Sequence, residues 1–499
     1  MELSRRDKTL TLAGIVLALF LGALDQTIVA AALPKIVEDL QGVSRYAWVA
    51  TAYLLASTVL VPIYGKLADM MSRKRIELFA VVTFLIGSVL CGAAGQFGAL
   101  PLLGDGMNQL IAFRALQGVG GAGLFAMAFI IIADLYPARQ RGKYQGLVSA
   151  TWAVASVMGP WLGGFLTDNA GGIVPGVSGW RWVFYVNLPV GALALWFIVT
   201  RMPSLRPEPG RQRLDPISAS LLVLTLVPLV LGLQLDRSVH PWSGGPTLAL
   251  LGAATVFAAA FVARSLTTSD PVLDVRLFAN PVFARANLAG LLLGASFLTV
   301  LVFLPLYLVN VLGVSATQAG VALIPLSLGV SLGALAAGQL AARLGRYKAI
   351  VVVASLVLLV AARLLTTLGP DTPYAHVVWI MVVAGVGIGP GLPLLTLAIQ
   401  NAVDPRKVGQ ATSAAQFFRQ IGGALGTAVM GTVLATALAA APGDADAAAA
   451  ALHVAELEQG LRAAFAEAIN RIFGALLWVV AASVLVVLWL PSSELRAER

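Results

Sequence analysis

The chain has 499 residues, of which 59% are hydrophobic and only 11% are charged, whereas soluble domains are about 25% charged. These proportions exclude an ordinary soluble enzyme and predict an integral membrane protein. The net charge of +9 does not indicate a nucleic-acid partner, because the basic residues are scattered in small groups between apolar blocks. The single cysteine, Cys91, excludes an internal disulfide framework.

Fourteen apolar blocks follow one another along the chain, and most approach the roughly 20 residues that a membrane span requires. Because lipid offers no hydrogen bonds to exposed strands, such blocks must be helices. We therefore predict an all-α membrane protein with fourteen transmembrane helices, whose first block is a span and not a cleaved signal peptide. The blocks lie near residues 10–33, 47–64, 77–97, 108–134, 146–166, 183–200, 215–235, 247–263, 287–309, 319–341, 349–368, 376–400, 409–438 and 472–490.

The distribution of lysine and arginine predicts how the spans are oriented. With the N-terminus inside, 24 of the 33 basic residues lie in cytoplasmic segments and six in outer segments. The remaining three, Arg114, Arg363 and Arg419, fall within spans. This excess agrees with the positive-inside rule. We expect a multi-pass protein of the cell membrane with both termini in the cytoplasm.

An internal repeat divides the chain into two halves. The segment GKLADMMSRKR at residues 65–75 is similar to GQLAARLGRYK at residues 338–348, and each follows an apolar block. Repeated halves are typical of secondary transporters, which bind substrate between them. We predict a six-helix bundle over residues 1–205, two additional helices over residues 206–275, and a second six-helix bundle over residues 276–499.

The longest outer segment covers residues 441–470 and precedes the last predicted span. Leu452, Leu457, Leu461 and Phe465 recur in it at helical spacing. This pattern predicts an amphipathic helix at the outer membrane surface. We expect this segment to connect two spans, with a binding role as the alternative.

Two glycine patterns mimic enzyme motifs. Residues 118–123 match a dinucleotide-binding fingerprint and residues 329–333 match a nucleophile elbow, but both motifs require a preceding strand. Inside predicted spans, these glycines indicate close helix packing. The sequence has no zinc-binding or nucleotide-binding motif, so we predict no enzyme, no metal and no cofactor other than protons as coupling ions.

Asp25 is the one carboxylate that we place deep in a span, about 15 residues or roughly 23 Å from the cytoplasmic end of the first block. Arg114 lies early in the fourth block, which runs in the opposite direction, so the two residues sit at similar depth. Burial and a neighbouring arginine have opposite effects on the proton affinity of a carboxyl group. Asp25 is therefore suited to bind and release protons, and a permanent structural ion pair with Arg114 is the alternative.

Other polar residues are candidates for the substrate cavity or for a conformational switch. Arg419 lies inside the thirteenth span without an evident acidic partner, and either binds a substrate group or has a structural role. Charged residues at the cytoplasmic ends of spans can form ion pairs that break when the halves move, with ordinary solvation as the alternative. The cavity candidates are Gln117, Gln416 and Arg419, and the charged switch candidates are Asp69, Arg73 and Asp134.

Four segments contain charged residues, glycine or proline in specific patterns: LDQTIVAAALP at 24–34, GKLADMMSRKR at 65–75, LIAFRALQGVGGA at 110–122 and GPWLGG at 159–164. In type and order they resemble motifs of the major facilitator superfamily, in particular its fourteen-span drug:proton antiporter branch. Residues 180–189 and 303–308 are similar to further signatures of that branch. The resemblance covers nearly the whole chain, although Ala30, Met70, Ser72 and Ala155 depart from the motifs.

The resemblance implies roles for particular residues. Arg114 lies in the motif that is associated with proton coupling, and we expect it to adjust the proton affinity of Asp25. The glycine-rich motif in the fifth span indicates export instead of import. The residues that the motifs add to the predicted conformational switch are Gly65, Gly159, Pro160, Gly163 and Gly164.

We therefore predict a proton-coupled antiporter that exports amphipathic or hydrophobic compounds, such as drugs, by alternating access. Its partners are a small amphipathic molecule, protons and the lipid bilayer, and we expect it to act as a monomer. Export of a dedicated lipid or metabolite is the alternative. A channel or a membrane enzyme is a remote alternative, because neither agrees with the motifs.

Overall fold

The computed structural model describes residues 4–42, 45–96, 98–101, 103–172, 177–205, 213–235, 239–314, 316–439, 459–492 and 494. Three parts of the predicted organisation lie outside the described residues. They are most of the linker after the first bundle, 206–212, the larger part of the predicted outer segment, 441–458, and the end of the C-terminal tail, 495–499.

The N-terminal half contains six long helices. A 3-10 turn, Gly179–Arg181, and a short helix, Trp182–Tyr185, lead into the sixth. Side chains cap some of these helices: the carboxylate of Asp105 accepts the backbone N–H of Asn108 and so begins the fourth. The helices are α1 (Arg5–Asp39), α2 (Tyr46–Met70), α3 (Arg73–Ala93), α4 (Gly106–Leu135), α5 (Ala138–Asn169) and α6 (Asn187–Arg201).

Two helices, α7 (Pro216–Gln234) and α8 (Gly245–Thr267), separate the halves and pack against each other. Asp215 caps α7 and accepts two hydrogen bonds, at 2.8 and 3.0 Å, from Arg264 near the end of α8. These hydrogen bonds hold the pKa of the Asp215 carboxyl below its usual range. This helix pair lies beside the main bundle, where α7 contacts α2 and the long helix Val408–Ala439 of the C-terminal half.

The C-terminal half repeats the six-helix arrangement. Its fourth helix is divided at Gly389 and Pro390, which join two helical parts. A short helix, Ala316–Val321, precedes its second. The helices are α9 (Pro281–Asn310), α10 (Leu323–Leu344), α11 (Lys348–Leu365), α12 (Tyr374–Ile388 and Gly391–Ala402), α13 (Val408–Ala439) and α14 (Gln459–Leu488).

The structure differs from the prediction at the last span. We expected residues 459–470 to belong to an amphipathic helix on the surface, with the span beginning near residue 472. Instead α14 runs without interruption from Gln459 to Leu488. Phe465 is fully buried, because the apolar spacing that suggested a surface helix packs the first turns of a membrane helix against its neighbours.

The prediction of an all-α membrane fold is confirmed. Within the described ranges, thirteen helices are long and apolar enough to cross a membrane. The remaining long helix, α5, has 32 residues and begins with a charged turn. No β-sheet occurs in the part of the chain that the structure describes. Large aromatic side chains point outward, as expected for a lipid-facing surface: Trp161 is 67% exposed and Trp478 is 77% exposed.

The two halves contact each other mainly through two helix pairs, α2 with α13 and α5 with α10, while α4 with α13 and α5 with α12 make smaller contacts. Residues 65–75 and 338–348, which form the internal repeat, lie at the same end of the bundle, which we call the motif face. The two repeats end their helices differently. Gly345 closes α10 in the left-handed conformation with φ of 67°, whereas Ser72, at the equivalent place, keeps φ at −60°.

Candidate functional site

A buried ion pair joins α1 to α4 in the N-terminal half. Asp25 is 0% exposed and Arg114 is 3% exposed. The Nη1 atom of Arg114 donates a hydrogen bond to Oδ2 of Asp25, and its Nε donates to the carbonyl of Val49 at 3.4 Å. The structure therefore brings together the two residues that the sequence placed at equal depth.

Two amide side chains complete the coordination of the Asp25 carboxylate. Oδ1 accepts hydrogen bonds from Nε2 of Gln117 at 2.8 Å and from Nδ2 of Asn187 at 3.0 Å. Asn187 lies at the start of α6 and also donates to Oγ of Ser88 at 3.0 Å. Three donors, one of them a guanidinium, thus contact the two carboxylate oxygens. We call Asp25, Arg114, Gln117 and Asn187 the buried acid cluster.

The buried acid cluster is held in place by tight packing around α4. The guanidinium of Arg114 lies over the ring of Tyr53 in α2, 4.4 Å from the ring centroid, a cation–π contact. Gly118 in α4 packs against the backbone of Tyr53, where an added Cβ would lie 2.6 Å from the carbonyl oxygen. Cys91 in α3 donates to Oε1 of Gln117 at 3.6 Å. Larger residues at these positions would displace the ion pair.

Helix α5 packs closely against α1 next to Asp25. The Oγ1 atom of Thr27 donates to the carbonyl of Ala155 at 2.9 Å. A Cβ on Gly159 would collide with Thr27, and a Cβ on Gly163 would lie 2.6 Å from the carbonyl oxygen of Ile28. The contact thus involves residues within one turn of Asp25, so movement at the carboxylate can be passed to α5.

Two residues of the predicted fifth-span motif lie away from that contact. Pro160 is exposed, and a Cβ on Gly164 would meet no atom within 4 Å. The structure therefore supports close packing for Gly159 and Gly163 but gives Pro160 and Gly164 no part in it. The conformational role of the whole motif stays a prediction.

At the motif face, Asp69 joins the two halves. Its carboxylate at the end of α2 accepts the backbone N–H groups of Gly409 at 2.7 Å and Gln410 at 2.8 Å, at the start of α13. An anion there is stabilised by the helix dipole as well as by the hydrogen bonds. Gly65, one turn earlier, packs so closely against Ser413 that a side chain would not fit.

Arg73 and Asp134 form a second interaction at the motif face, within the N-terminal half. Nε of Arg73 donates to Oδ2 of Asp134 at 2.8 Å, and its Nη1 donates to the carbonyl of Ala68. The pair ties the start of α3 to the ends of α4 and α2. Of the three predicted switch residues, Arg73 and Asp134 thus form an ion pair, whereas Asp69 bonds the start of α13. Their switching role stays a prediction.

The second half of the repeat makes the corresponding contact between α10 and α5. Gly338 packs against the backbone of Gly142. Arg139 at the start of α5 donates to the carbonyls of Ala342 at 2.8 Å and Arg343 at 3.1 Å, at the end of α10. Cations stabilise the C-terminal end of a helix as anions stabilise the N-terminal end. The motif face is therefore closed by two glycine contacts, each with a charged group at a helix end.

The predicted cavity candidates are separated in the structure. Gln117 belongs to the buried acid cluster and is fully buried. Gln416 is 1% exposed and accepts a hydrogen bond from Nη2 of Arg419. Arg419 lines a narrow cavity between α9, α12 and α13, together with Gly290 and Thr396. Among the described residues, Arg419 has no carboxylate within ion-pair distance.

Sequence reasoning missed several polar residues of the site. Asn187 lies in the segment WRWVFYVNLP, where a polar residue inside an apolar block was the available signal. Thr58 donates to Gln420 at 2.7 Å across the two halves. Glu77 near the start of α3 is fully buried, which was not expected so close to a helix end. We had placed only Asp25 among the buried acids.

Comparisons with known proteins identify the family. The model of the Major Facilitator Superfamily matches residues 15–427. The chain belongs to the Major Facilitator Superfamily. It is therefore a multi-pass membrane protein of a transporter family and not an enzyme. The Multidrug transporter protein MdtP of Bacillus subtilis (strain 168) is 36% identical over 443 residues, which cover 87% of this chain and 77% of that protein.

Further similarities agree with this membership. Multidrug resistance protein 3 of Bacillus subtilis (strain 168) is 36% identical over 420 residues, covering 84% of this chain and 78% of the relative. Among solved structures of the superfamily, the proton:xylose symporter XylE aligns with a TM-score of 0.64 at 14% identity, covering 99% of this chain and 98% of the other. At that identity the structural likeness supports the fold alone.

Proposed function

We propose that the protein is a proton-coupled antiporter that exports amphipathic or hydrophobic compounds across the cell membrane by alternating access. The observation that carries this proposal is the fully buried ion pair of Asp25 and Arg114 beside the α1–α5 contact. A buried charge pair is costly to keep, and ionisable groups inside a membrane protein commonly mark proton pathways. The relatives named as multidrug transporters favour drug-like substrates for this chain.

The geometry suggests how a proton acts on the helices. Protonation of Asp25 would remove the negative charge that Arg114, Gln117 and Asn187 now contact. The ion pair would weaken, and α1 would move relative to α4. Because Thr27 and Ile28 pack against Gly159 and Gly163, that movement would be passed to α5, whose other end contacts α10 at the motif face.

We place the motif face on the cytoplasmic side, because most of the basic residues belong to segments on that side. The structure then corresponds to the state closed toward the cytoplasm, in which we expect Asp25 to receive a proton from outside. Each proton that enters down 100 mV supplies about 2.3 kcal/mol, which allows roughly 40-fold substrate accumulation. One chain contains both halves and the buried acid cluster, so a monomer is sufficient.

A second candidate function is export of a dedicated lipid or metabolite that carries an anionic group. Arg419 favours it, since this largely buried guanidinium lines a narrow apolar cavity and has no carboxylate partner among the described residues. An anionic substrate group would supply the missing charge. A cationic substrate would be repelled by Arg419 at the same place.

Transport by the purified protein in proteoliposomes with an imposed pH gradient tests the proposal. A panel of cationic dyes, neutral amphiphiles and anionic lipids separates the two candidate functions. We expect uphill movement of at least one neutral or singly charged amphiphile, abolished when a protonophore collapses the gradient. Movement that only equilibrates the compound and ignores the gradient would indicate a channel instead.

A further inference from the structure

Glu77 is a buried carboxyl group to which the mechanism above gives no role. It lies at the fifth position of α3, near the motif face, and is 0% exposed. Within the described part of the chain, neither of its carboxyl oxygens has a hydrogen-bond partner. The other buried acids are Asp25, Asp69 and Asp274, which accept three, two and two hydrogen bonds from named donors. Glu77 is thus exceptional among the buried acids.

The charged groups on the helices around Glu77 do not contact its carboxyl group. On α2, Asp69 binds the start of α13, and Lys66 lies 3.8 Å from Asp270. On α4, Asp134 pairs with Arg73 and Arg114 pairs with Asp25. On α3 itself, Lys74 donates to the carbonyl of Val199 in α6 at 2.7 Å. On α6, Arg201 is exposed at the end of the helix. Among the described residues, no cation lies within hydrogen-bond distance of the Glu77 carboxyl group.

The neutral groups around Glu77 do not compensate a charge either. The hydroxyl of Tyr64 in α2 lies within electrostatic reach of Glu77, but it is buried without a hydrogen-bond partner in the described structure. The ring of Tyr64 packs against Gly123 of α4, and Ala80 closes the same space. An unpaired ionised carboxylate in such a site costs several kcal/mol, whereas a protonated one costs far less. The packing therefore favours a proton on Glu77.

A counter-ion for Glu77 is available one helical turn away. Arg73 and Glu77 are four residues apart on α3, a spacing at which side chains are neighbours on the helix surface. In the closed state the guanidinium of Arg73 is held by Asp134 and by the carbonyl of Ala68. These partners belong to the same half as Glu77 and therefore move with it. Opening of the motif face separates α2 from α13 and admits water to this end of α3, where Arg73 can turn toward Glu77.

We propose that Glu77 is a second proton-binding site, which holds a proton while the motif face is closed and releases it when the face opens. On release, the O–H bond of the Glu77 carboxyl breaks and the proton passes to water at the motif face. The resulting carboxylate is stabilised by the positive charge of the Arg73 guanidinium, one helical turn away. This inference rests on the proposed proton coupling and adds a second site to Asp25.

Infrared spectroscopy of the purified full-length protein tests the proton on Glu77 without any transport measurement. We expect the carbonyl stretching band of a protonated carboxylic acid in the wild-type protein at neutral pH, absent from Glu77→Gln and shifted in frequency in Glu77→Asp. Two control variants should keep the band: Asp25→Asn, and Glu38→Gln, in which an exposed acid is changed. A band that is unchanged in both Glu77 variants, or missing from the wild-type protein, would overturn the proposal.

Two further measurements test whether Glu77 releases its proton when the motif face opens. In Gly338→Val, which blocks closure of the motif face, we expect the Glu77 band to be lost, and a band of wild-type intensity contradicts the link to opening.

In proteoliposomes, Glu77→Gln should move one proton fewer per substrate than the wild-type protein, while Glu77→Asp keeps the ratio. A wild-type ratio in Glu77→Gln contradicts the second site. Absence of coupling in the wild-type protein would instead refute the proposed function, and the infrared result would still stand by itself.

Discussion

Gly338 of α10 packs directly against the backbone carbonyl of Gly142 in α5 at the motif face. Gly65 of α2 makes the related contact with the backbone of Gly409 in α13, where a Cβ would lie 2.6 Å from the carbonyl oxygen. Gly65 and Gly338 are equivalent positions of the internal repeat. The repeat therefore places one residue without a side chain at each of the two helix crossings that close this face.

A side chain at Gly338 is expected to prevent closure. Gly338→Val would force a branched side chain against the Gly142 carbonyl, and such overpacking costs about 1–3 kcal/mol. The closed population should fall by roughly 5- to 150-fold. Spin labels at Gln140 and Leu344, two exposed positions on α5 and α10, would report a longer distance. Gly431→Val is the control, since a Cβ there meets no atom within 4 Å, and equal distances in both variants would contradict the expectation.

Asp69→Asn is expected to weaken the contact between α2 and α13. The carboxylate accepts two backbone N–H groups, and charged hydrogen bonds contribute about 1.5–3 kcal/mol each. An amide has only one acceptor oxygen and no charge. Alkylation of a Ser413→Cys variant, buried in the closed state, should accelerate at least tenfold when Asp69→Asn is added.

The control for that experiment is Asp404→Asn. Asp404 also accepts a backbone N–H, that of Arg406 at 2.8 Å, but it is exposed and does not join the halves. If Asp404→Asn accelerates alkylation as much as Asp69→Asn does, then the Asp69 contact has no special part in closure.

Asn187→Ala is expected to destabilise the protein by about 1–3 kcal/mol, because the buried Asp25 carboxylate loses one of its donors. The midpoint of thermal unfolding in detergent should fall by several degrees. Asn169→Ala is the matched control, since Asn169 is exposed and donates only to the Phe165 carbonyl in its own helix. A similar loss of stability in both variants would mean that the hydrogen bond to Asp25 is unimportant.

The ion pair of Asp25 and Arg114 could be predicted because the prediction needs only the depth of each residue in the membrane. The two blocks are antiparallel and apolar throughout, so the position of each charge along its block gives its depth in the membrane. The direction in which each side chain points follows from helix packing, and the glycines of α4 allowed close approach. The same reasoning predicted the contact of Asp69 with its surroundings only in part, because its partners are backbone N–H groups.

Asn187 and Glu77 could not be predicted in the same way. The position of Asn187 depends on the 3-10 turn and short helix before α6, which have no clear periodic signal. Glu77 follows a basic segment, so the sequence alone suggests solvent exposure, whereas packing against α2 and α4 buries it. The start of α14 was misplaced because amphipathic spacing is the same on a membrane surface and in the first turns of a packed span.

In the proposed antiport cycle, protonation of Asp25 couples the proton gradient to substrate movement. The most direct measurement compares Asp25→Asn with the wild-type protein in two proteoliposome assays, substrate exchange without a gradient and uphill transport driven by a pH gradient. We predict that Asp25→Asn retains exchange, because an amide mimics the protonated carboxyl, but loses uphill transport at least tenfold. Wild-type uphill transport by Asp25→Asn, still dependent on the pH gradient, would contradict the account.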